Sequence, residues 1–253
     1  MLKDDYIIRA TLAAQADRYQ DVIPLLKTVI ENLEAGESLS IDERNLLLES
    51  YKCLITARRN SWRAIVDLLG RLINTNQLKI AEDFKVTIEN EIHSICNEVT
   101  ELLDKYLIKK SKAEYAKDPR NSASLENLIF FLKMKGDYFR YIAELKVDDS
   151  SILEDSNVTK AREAYSEGFE LCKHISIVNP IRLGLILNFS VFNYEICRKK
   201  GIACKMAKAA FEEGISKIEH LEDNNYKDST LVLQLLRDNL ILWSAEEEHE
   251  DNS

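Results

Sequence analysis

Two sets of cations stand at spacings that could do chemistry. Lys52, Arg59 and Arg63 fall at i, i+7 and i+11, within about 40° of one another on a helix of 3.6 residues per turn. Lys133 and Arg140 repeat the i, i+7 spacing, with Tyr141 beside Arg140. Either stripe alone reads as a solvated helix face. Two of them in a chain with no enzyme-like motif read as an anion pocket. Phosphate is the anion that suits paired arginines, because a guanidinium fork meets two oxygens at once and a lysine adds a point charge. Crowding such cations costs repulsion in an empty site, which acidic surroundings offset in part.

Nothing else in the chain resembles a reactive centre. The four histidines (His93, His174, His220, His249) are far apart and none sits at a metal-binding spacing. There is no Gly-rich phosphate loop, no nucleophile elbow and no Cys/His cluster at zinc spacing. No catalytic residue, metal or cofactor is therefore predicted, and the chain reads as a non-enzyme. A net charge of −9 argues against a nucleic-acid or anionic-membrane partner. The longest apolar runs, such as Leu128 to Leu132, are far short of the ~20 residues that span a bilayer. The N-terminus lacks the apolar stretch of a signal peptide, and the five scattered cysteines read as reduced thiols. The expected compartment is the cytoplasm, with the nucleus also open to it.

The elements that must position these cations are helices. Seven glycines and three prolines make up about 4 % of the chain, where roughly 12 % is usual. Helical periodicity runs almost throughout, and strand-like alternation persists nowhere. The pattern predicts helices over about 3–16, 18–33 (closed at Gly36), 40–74, 80–110, 124–146, 152–174, 180–199, 203–221 and 228–245. Ser40 and Glu43 form a capping box, Gly70 is a weak point at which the third helix can end or bend early, and Asn179-Pro180 is a clean start for the seventh. Gly201 is expected to close that helix and Asp228 to cap the last. The basic stretch 109–123 reads as an exposed loop, with helical turns open to it, either a docking arm or a solvated linker. Residues 1–245 are thus expected to form one all-α domain of nine antiparallel helices. Residues 246–253, with five acids and no lysine or arginine, are expected to form a flexible acidic tail.

At these residues the sequence resembles the 14-3-3 family. Arg44–Arg63 (RNLLLESYKCLITARRNSWR) is similar to the family's first signature and Tyr226–Trp243 (YKDSTLVLQLLRDNLILW) to its second. Leu132–Glu144 (LKMKGDYFRYIAE), Asn179–Ile196 (NPIRLGLILNFSVFNYEI) and Leu12–Tyr19 (LAAQADRY) are family-like as well. The resemblance implies a nine-helix protomer that dimerises through its N-terminal helices and holds phosphoserine or phosphothreonine peptides in a groove. It places Lys52, Arg59, Arg140 and Tyr141 at the phosphate, with Lys133 beside them. Asn188 and Asn239 fall on the asparagines that hold the peptide backbone, Glu195 and Trp243 on polar partners from neighbouring helices. Leu187, Val191, Leu231, Val232 and Leu235 match the apolar wall; by themselves these leucines read as ordinary core. Arg18 and Glu91 occupy positions that pair across the dimer interface, where Ser61 is retained and Phe84 replaces a tyrosine.

Departures from the family pattern are Cys53, Thr56, Asn179 and Asn193, with the 109–123 and 146–160 segments also divergent. The partners implied are phosphorylated client proteins and a second protomer, as homodimer or heterodimer. The alternative is a phospho-independent helical scaffold that uses the groove for acidic or amphipathic segments.

Overall fold

The computed structural model describes residues 3–34, 37–147, 150–218 and 223–251, the last helix with side chains from Asn225 to Glu246. Every regular element among them is helical. The chain divides into two compact units, residues 1–114 and 115–253.

The first unit holds α1 (Lys3–Gln15), α2 (Tyr19–Glu31), α3 (Ile41–Leu69) and α4 (Thr75–Leu102). A π turn (Leu103–Ile108) carries α4 into α5 (Lys109–Lys117), which crosses into the second unit. The capping box at α3 is present: the Glu43 N–H donates to Ser40 Oγ at 3.1 Å, and the Ser40 N–H to Glu43 Oε2 at 2.9 Å. Gly70 ends α3 as its C-cap, so the helix stops short of the expected Asn74. Asn74 instead opens α4, its Oδ1 accepting from the N–H groups of Asn76 and Gln77 at 3.0 and 3.2 Å. A side-chain acceptor satisfies amides that a helix start leaves orphaned, which is why α4 begins before Ile80. The expected loop at 109–123 is mostly helix. Lys, Ala and Glu are good helix formers, and nothing breaks the run before Pro119. Leu26, Ile30, Leu47, Tyr51, Ile55, Ile92 and Cys96 are buried in this unit. The expected stop at Gly36 lies outside the described residues.

The second unit holds α6 (Ser122–Glu144), a 3-10 turn (Ile152–Glu154), α7 (Ser156–Cys172) and α8 (Pro180–Val191). A second π turn (Phe192–Ile196), α9 (Lys200–Lys217) and α10 (Asp223–Asp251) follow. Asn121, Asp155 and Asn179 cap α6, α7 and α8 through their side-chain oxygens. With α4 and α5 taken as one rod, the described residues hold nine helices. Gly201 does not close α8: it is the second residue of α9, and Arg198 makes the reversal at φ 55°. Asp228 does not cap α10, which has already begun at Asp223; its neighbour Ser229 is buried and donates to the Val178 carbonyl at 2.6 Å. The helical backbone of α10 also continues to Asp251, through the stretch expected as a tail, and the Tyr194 hydroxyl donates to Glu246 at 2.7 Å.

Among the described residues, no helix is long and apolar enough to cross a membrane.

Candidate functional site

In the second unit the sequence-predicted cations gather on α6, the unit's most buried helix. Lys133, Asp137, Arg140 and Glu144 are spaced 4, 3 and 4 residues apart, so all four lie along one face. Asp137 is 4 % exposed and Arg140 6 %. Lys133 Nζ donates to Asp137 Oδ2 at 2.8 Å, and Arg140 Nη1 to Glu144 Oε1 at 2.7 Å. From α7, the Tyr165 hydroxyl donates to Asp137 Oδ1 at 2.5 Å and accepts from Arg140 Nε at 3.3 Å. From α8, Asn188 Nδ2 donates to the same Asp137 oxygen at 2.7 Å. The Arg140 guanidinium lies 4.7 Å from the centre of the Tyr141 ring. Lys133, Arg140 and Asn188 are therefore brought together around one buried carboxylate, with Tyr141 against the Arg140 guanidinium.

The electrostatics are local. Two cations, Lys133 and Arg140, face two carboxylates, Asp137 and Glu144, so the repulsion expected of crowded cations is relieved within α6 itself. Burial pushes the Asp137 carboxyl up, but the Lys133 and Arg140 charges, with hydrogen bonds from Lys133 and Tyr165, outweigh it and hold the pKa below the usual carboxylate value. Burial also opposes the Arg140 charge, and Tyr165, Tyr141, Glu144 and Asp137 more than restore it. The Tyr165 phenol is held protonated, first by burial and then by the Asp137 charge. Sequence reasoning missed Asp137, Glu144 and Tyr165. The alternating signs at Lys133, Asp137, Arg140 and Glu144 were a signal for the first two, but exposed helices show the same pattern.

The apolar wall is a second feature of this unit. On α10, Leu233, Leu236 and Trp243 are buried in a cluster with Leu183, Ile186 and Tyr194. The opposite stripe is open: Leu231 is 57 % exposed, Leu235 44 % and Leu242 55 %. A leucine that served the core would be covered, so this stripe is not core; Leu242 joins it unforeseen. Leu187, Val191 and Val232 are half-buried at the edge of the same cluster. Asn239 is half-buried and Glu195 exposed. Trp243, expected among the polar contacts of the groove, is 3 % exposed and stacks on Tyr194 at 4.5 Å. It anchors α10 rather than lining an open face. Asn193, a departure from the family pattern, serves the π turn: its Nδ2 donates to the Phe189 carbonyl at 2.8 Å and its own carbonyl accepts from the Lys199 N–H at 2.8 Å.

In the first unit, Lys52 is exposed and Arg59 half-buried on α3. The roll of α3 is fixed by the stripe one residue before these cations. The Tyr51 hydroxyl donates to Glu98 at 2.9 Å, Arg58 pairs with Glu91, and Trp62 Nε1 donates to Glu89 at 2.9 Å. Thr56 is exposed on α3, and Cys53 lies beside Tyr19, whose phenol it pushes up to about 12. Of the residues expected at a dimer interface, Arg18 pairs with Asp21 of its own α2 and Glu91 with Arg58. Ser61 Oγ donates to the Ala57 carbonyl at 3.0 Å, and Phe84 is exposed.

Residues 9–244 match the family model described as 14-3-3 protein. The chain is 43 % identical to 14-3-3 protein beta/alpha of Homo sapiens over 253 residues, covering 99 % of this chain and 96 % of that one. Against the beta/alpha protein of Gallus gallus the identity is 42 %, covering 99 % and 97 %. Against 14-3-3 protein theta of Homo sapiens it is 42 %, covering 99 % and 96 %.

Proposed function

The chain belongs to the 14-3-3 family, and on that premise we propose that it is a dimeric adaptor that binds client proteins at phosphorylated serine or threonine. Members of this family are adaptors rather than enzymes. Lys52, Arg59, Arg140 and Tyr141 are the proposed phosphate ligands, with Lys133 adding charge beside them. A phosphoserine brings roughly −1.5 to −2 charges and three acceptor oxygens, which guanidinium forks are shaped to meet. Asn188 and Asn239 each offer a donor and an acceptor, as an extended peptide backbone requires. Leu187, Val191, Leu231, Val232 and Leu235 receive the client's apolar side chains, and Glu195 its polar ones.

The observation that carries this reading is the setting of Arg140: a buried guanidinium held by Tyr165 and Glu144, with the Asn188 carboxamide joined to it through Tyr165 and Asp137. So much fixed geometry around a cation suits a site that must present a guanidinium fork to two phosphate oxygens at once. Dimerisation is proposed through the surface that carries Arg18, Ser61, Phe84 and Glu91, with homodimers and heterodimers both open. Exposed Ile8, Leu12, Phe84 and Val86 on α1 and α4 support an interface there. The proposed compartment is the cytoplasm, with the nucleus also open.

A phospho-independent scaffold is favoured by one feature only, the open leucine stripe of α10, which needs no phosphate. Pull-down from lysate with and without phosphatase separates the two. Clients lost after phosphatase treatment support the adaptor, and clients retained support the scaffold.

A further inference from the structure

Asp137 is assigned no role above, yet it is the group on which the second unit's polar side chains converge. Its Oδ1 accepts from Tyr165 at 2.5 Å and from Asn188 at 2.7 Å, its Oδ2 from Lys133 at 2.8 Å. The bond to Asn188 settles which way that carboxamide faces. A flipped amide would set its oxygen 2.7 Å from an oxygen of a carboxylate that is itself 4 % exposed, acceptor against acceptor. Asn188 Nδ2 is thus committed to Asp137 and Oδ1 is turned the other way. Through Tyr165, the same carboxylate is joined to Arg140 Nε. A chain of three hydrogen bonds therefore runs from Arg140 through Tyr165 and Asp137 to Asn188.

We propose that Asp137 is a positioning residue for client binding: it fixes the Asn188 carboxamide so that Oδ1 accepts a backbone N–H of the client. Through Tyr165 it also ties that amide to the phosphate-binding Arg140. The proposal rests on the adaptor reading above. Asp137 touches no client atom itself. Its effect is to make the amide one-sided before the client arrives, so that no binding energy is spent on selecting a rotamer.

The test is a scan of one phosphoserine peptide in which each backbone amide in turn is N-methylated, titrated against wild type, Asp137→Asn, Asn188→Ala and Tyr165→Phe. In wild type one position is expected to be sensitive, by up to about tenfold, the worth of one hydrogen bond. Asp137→Asn leaves one acceptor oxygen where two stood, and cannot serve both Lys133 and the Asn188–Tyr165 side. The sensitive position should become indifferent in Asp137→Asn, as in Asn188→Ala, while Tyr165→Phe keeps it. A merely structural role would weaken every peptide alike and leave the pattern intact.

The same pairing can be read without any variant. The Asn188 side-chain amide of the free wild-type protein, followed by NMR, should be downfield-shifted and slow to exchange, and fast exchange would overturn the proposal. Wild type that binds phosphopeptide, with an unchanged N-methyl pattern in Asp137→Asn, overturns the positioning role alone. Wild type that binds no phosphopeptide overturns the adaptor reading and this role with it.

Discussion

Replacing Gly136 by alanine adds one methyl group to the most crowded point of α6. An ideal Cβ there would lie 2.7, 2.7 and 2.8 Å from Cδ1, Cε1 and Cζ of Tyr165. Ordinary carbon contact begins near 3.5 Å, so the ring must retreat by about 0.8 Å. It has little room to do so, because Tyr165 is fully buried, with Phe189 and Phe192 each 5.4 Å away. Overpacking of this kind costs about 1–3 kcal/mol. Retreat also stretches the hydroxyl's bonds to Asp137 and Arg140, and a hydrogen bond to a charged group is worth about 1.5–3 kcal/mol. Alanine returns about 1 kcal/mol of helix propensity. The net expectation is a loss of about 2–4 kcal/mol, which at about 2–4 °C per kcal/mol lowers Tm by roughly 5–15 °C. Gly184 is the control, since its Cβ would sit 3.5 Å from Lys133 Cε, an ordinary contact. Gly184→Ala should be neutral or more stable than wild type. Thermal unfolding of the two variants side by side is the assay, and Gly136→Ala as stable as Gly184→Ala would refute the packing described for Tyr165.

Other expectations concern charge, ionisation and assembly. Arg140→Lys keeps the charge but not the fork that reaches both Tyr165 and Glu144, so phosphopeptide affinity should fall by about tenfold or more. Tyr141→Phe, losing one neutral donor, should cost less. Fluorescence polarisation with a labelled phosphopeptide checks both, and equal affinities would count against them. Tyr51 and Tyr165 both have pKa values raised by burial and by a neighbouring carboxylate. Their contribution to stability is complete below the unfolded tyrosine pKa near 10 and is lost as pH rises beyond it, by up to about 1.4 kcal/mol per pH unit for each. Urea unfolding at pH 9, 10 and 11 should show that loss, and a flat profile would contradict it. Sedimentation at micromolar concentration should show a dimer; a 29.1 kDa species alone would remove the proposed interface.

Local chemistry was legible where it is written in adjacent residues. Ser40 with Glu43, and Asn179 with Pro180, mark helix starts because cap and amide lie within three residues of each other. Asn74 was harder to read, since the periodicity of α3 runs on past Gly70 and hides the cap. The sequence pattern points to Gly201 rather than to Arg198 for the reversal, because a side-chain-bearing residue at positive φ leaves no compositional trace. The cations proposed for phosphate on α3 and α6 stand out by spacing and resemblance. Asp137 could not, because its role is created by Tyr165 and Asn188, 28 and 51 residues further along the chain. Leu231 and Leu235 looked like core until the opposite face of α10 proved to be the buried one.

The central claim is that binding depends on the client's phosphate. Its most direct test is titration of one serine peptide, with proline two residues after the serine, in phosphorylated and unphosphorylated forms. Wild type should bind the phosphorylated form alone, and Arg59→Ala and Arg140→Ala should each weaken it by at least about tenfold, the worth of one charge-assisted hydrogen bond. Equal binding of the two peptides, or indifference to both substitutions, would contradict the account.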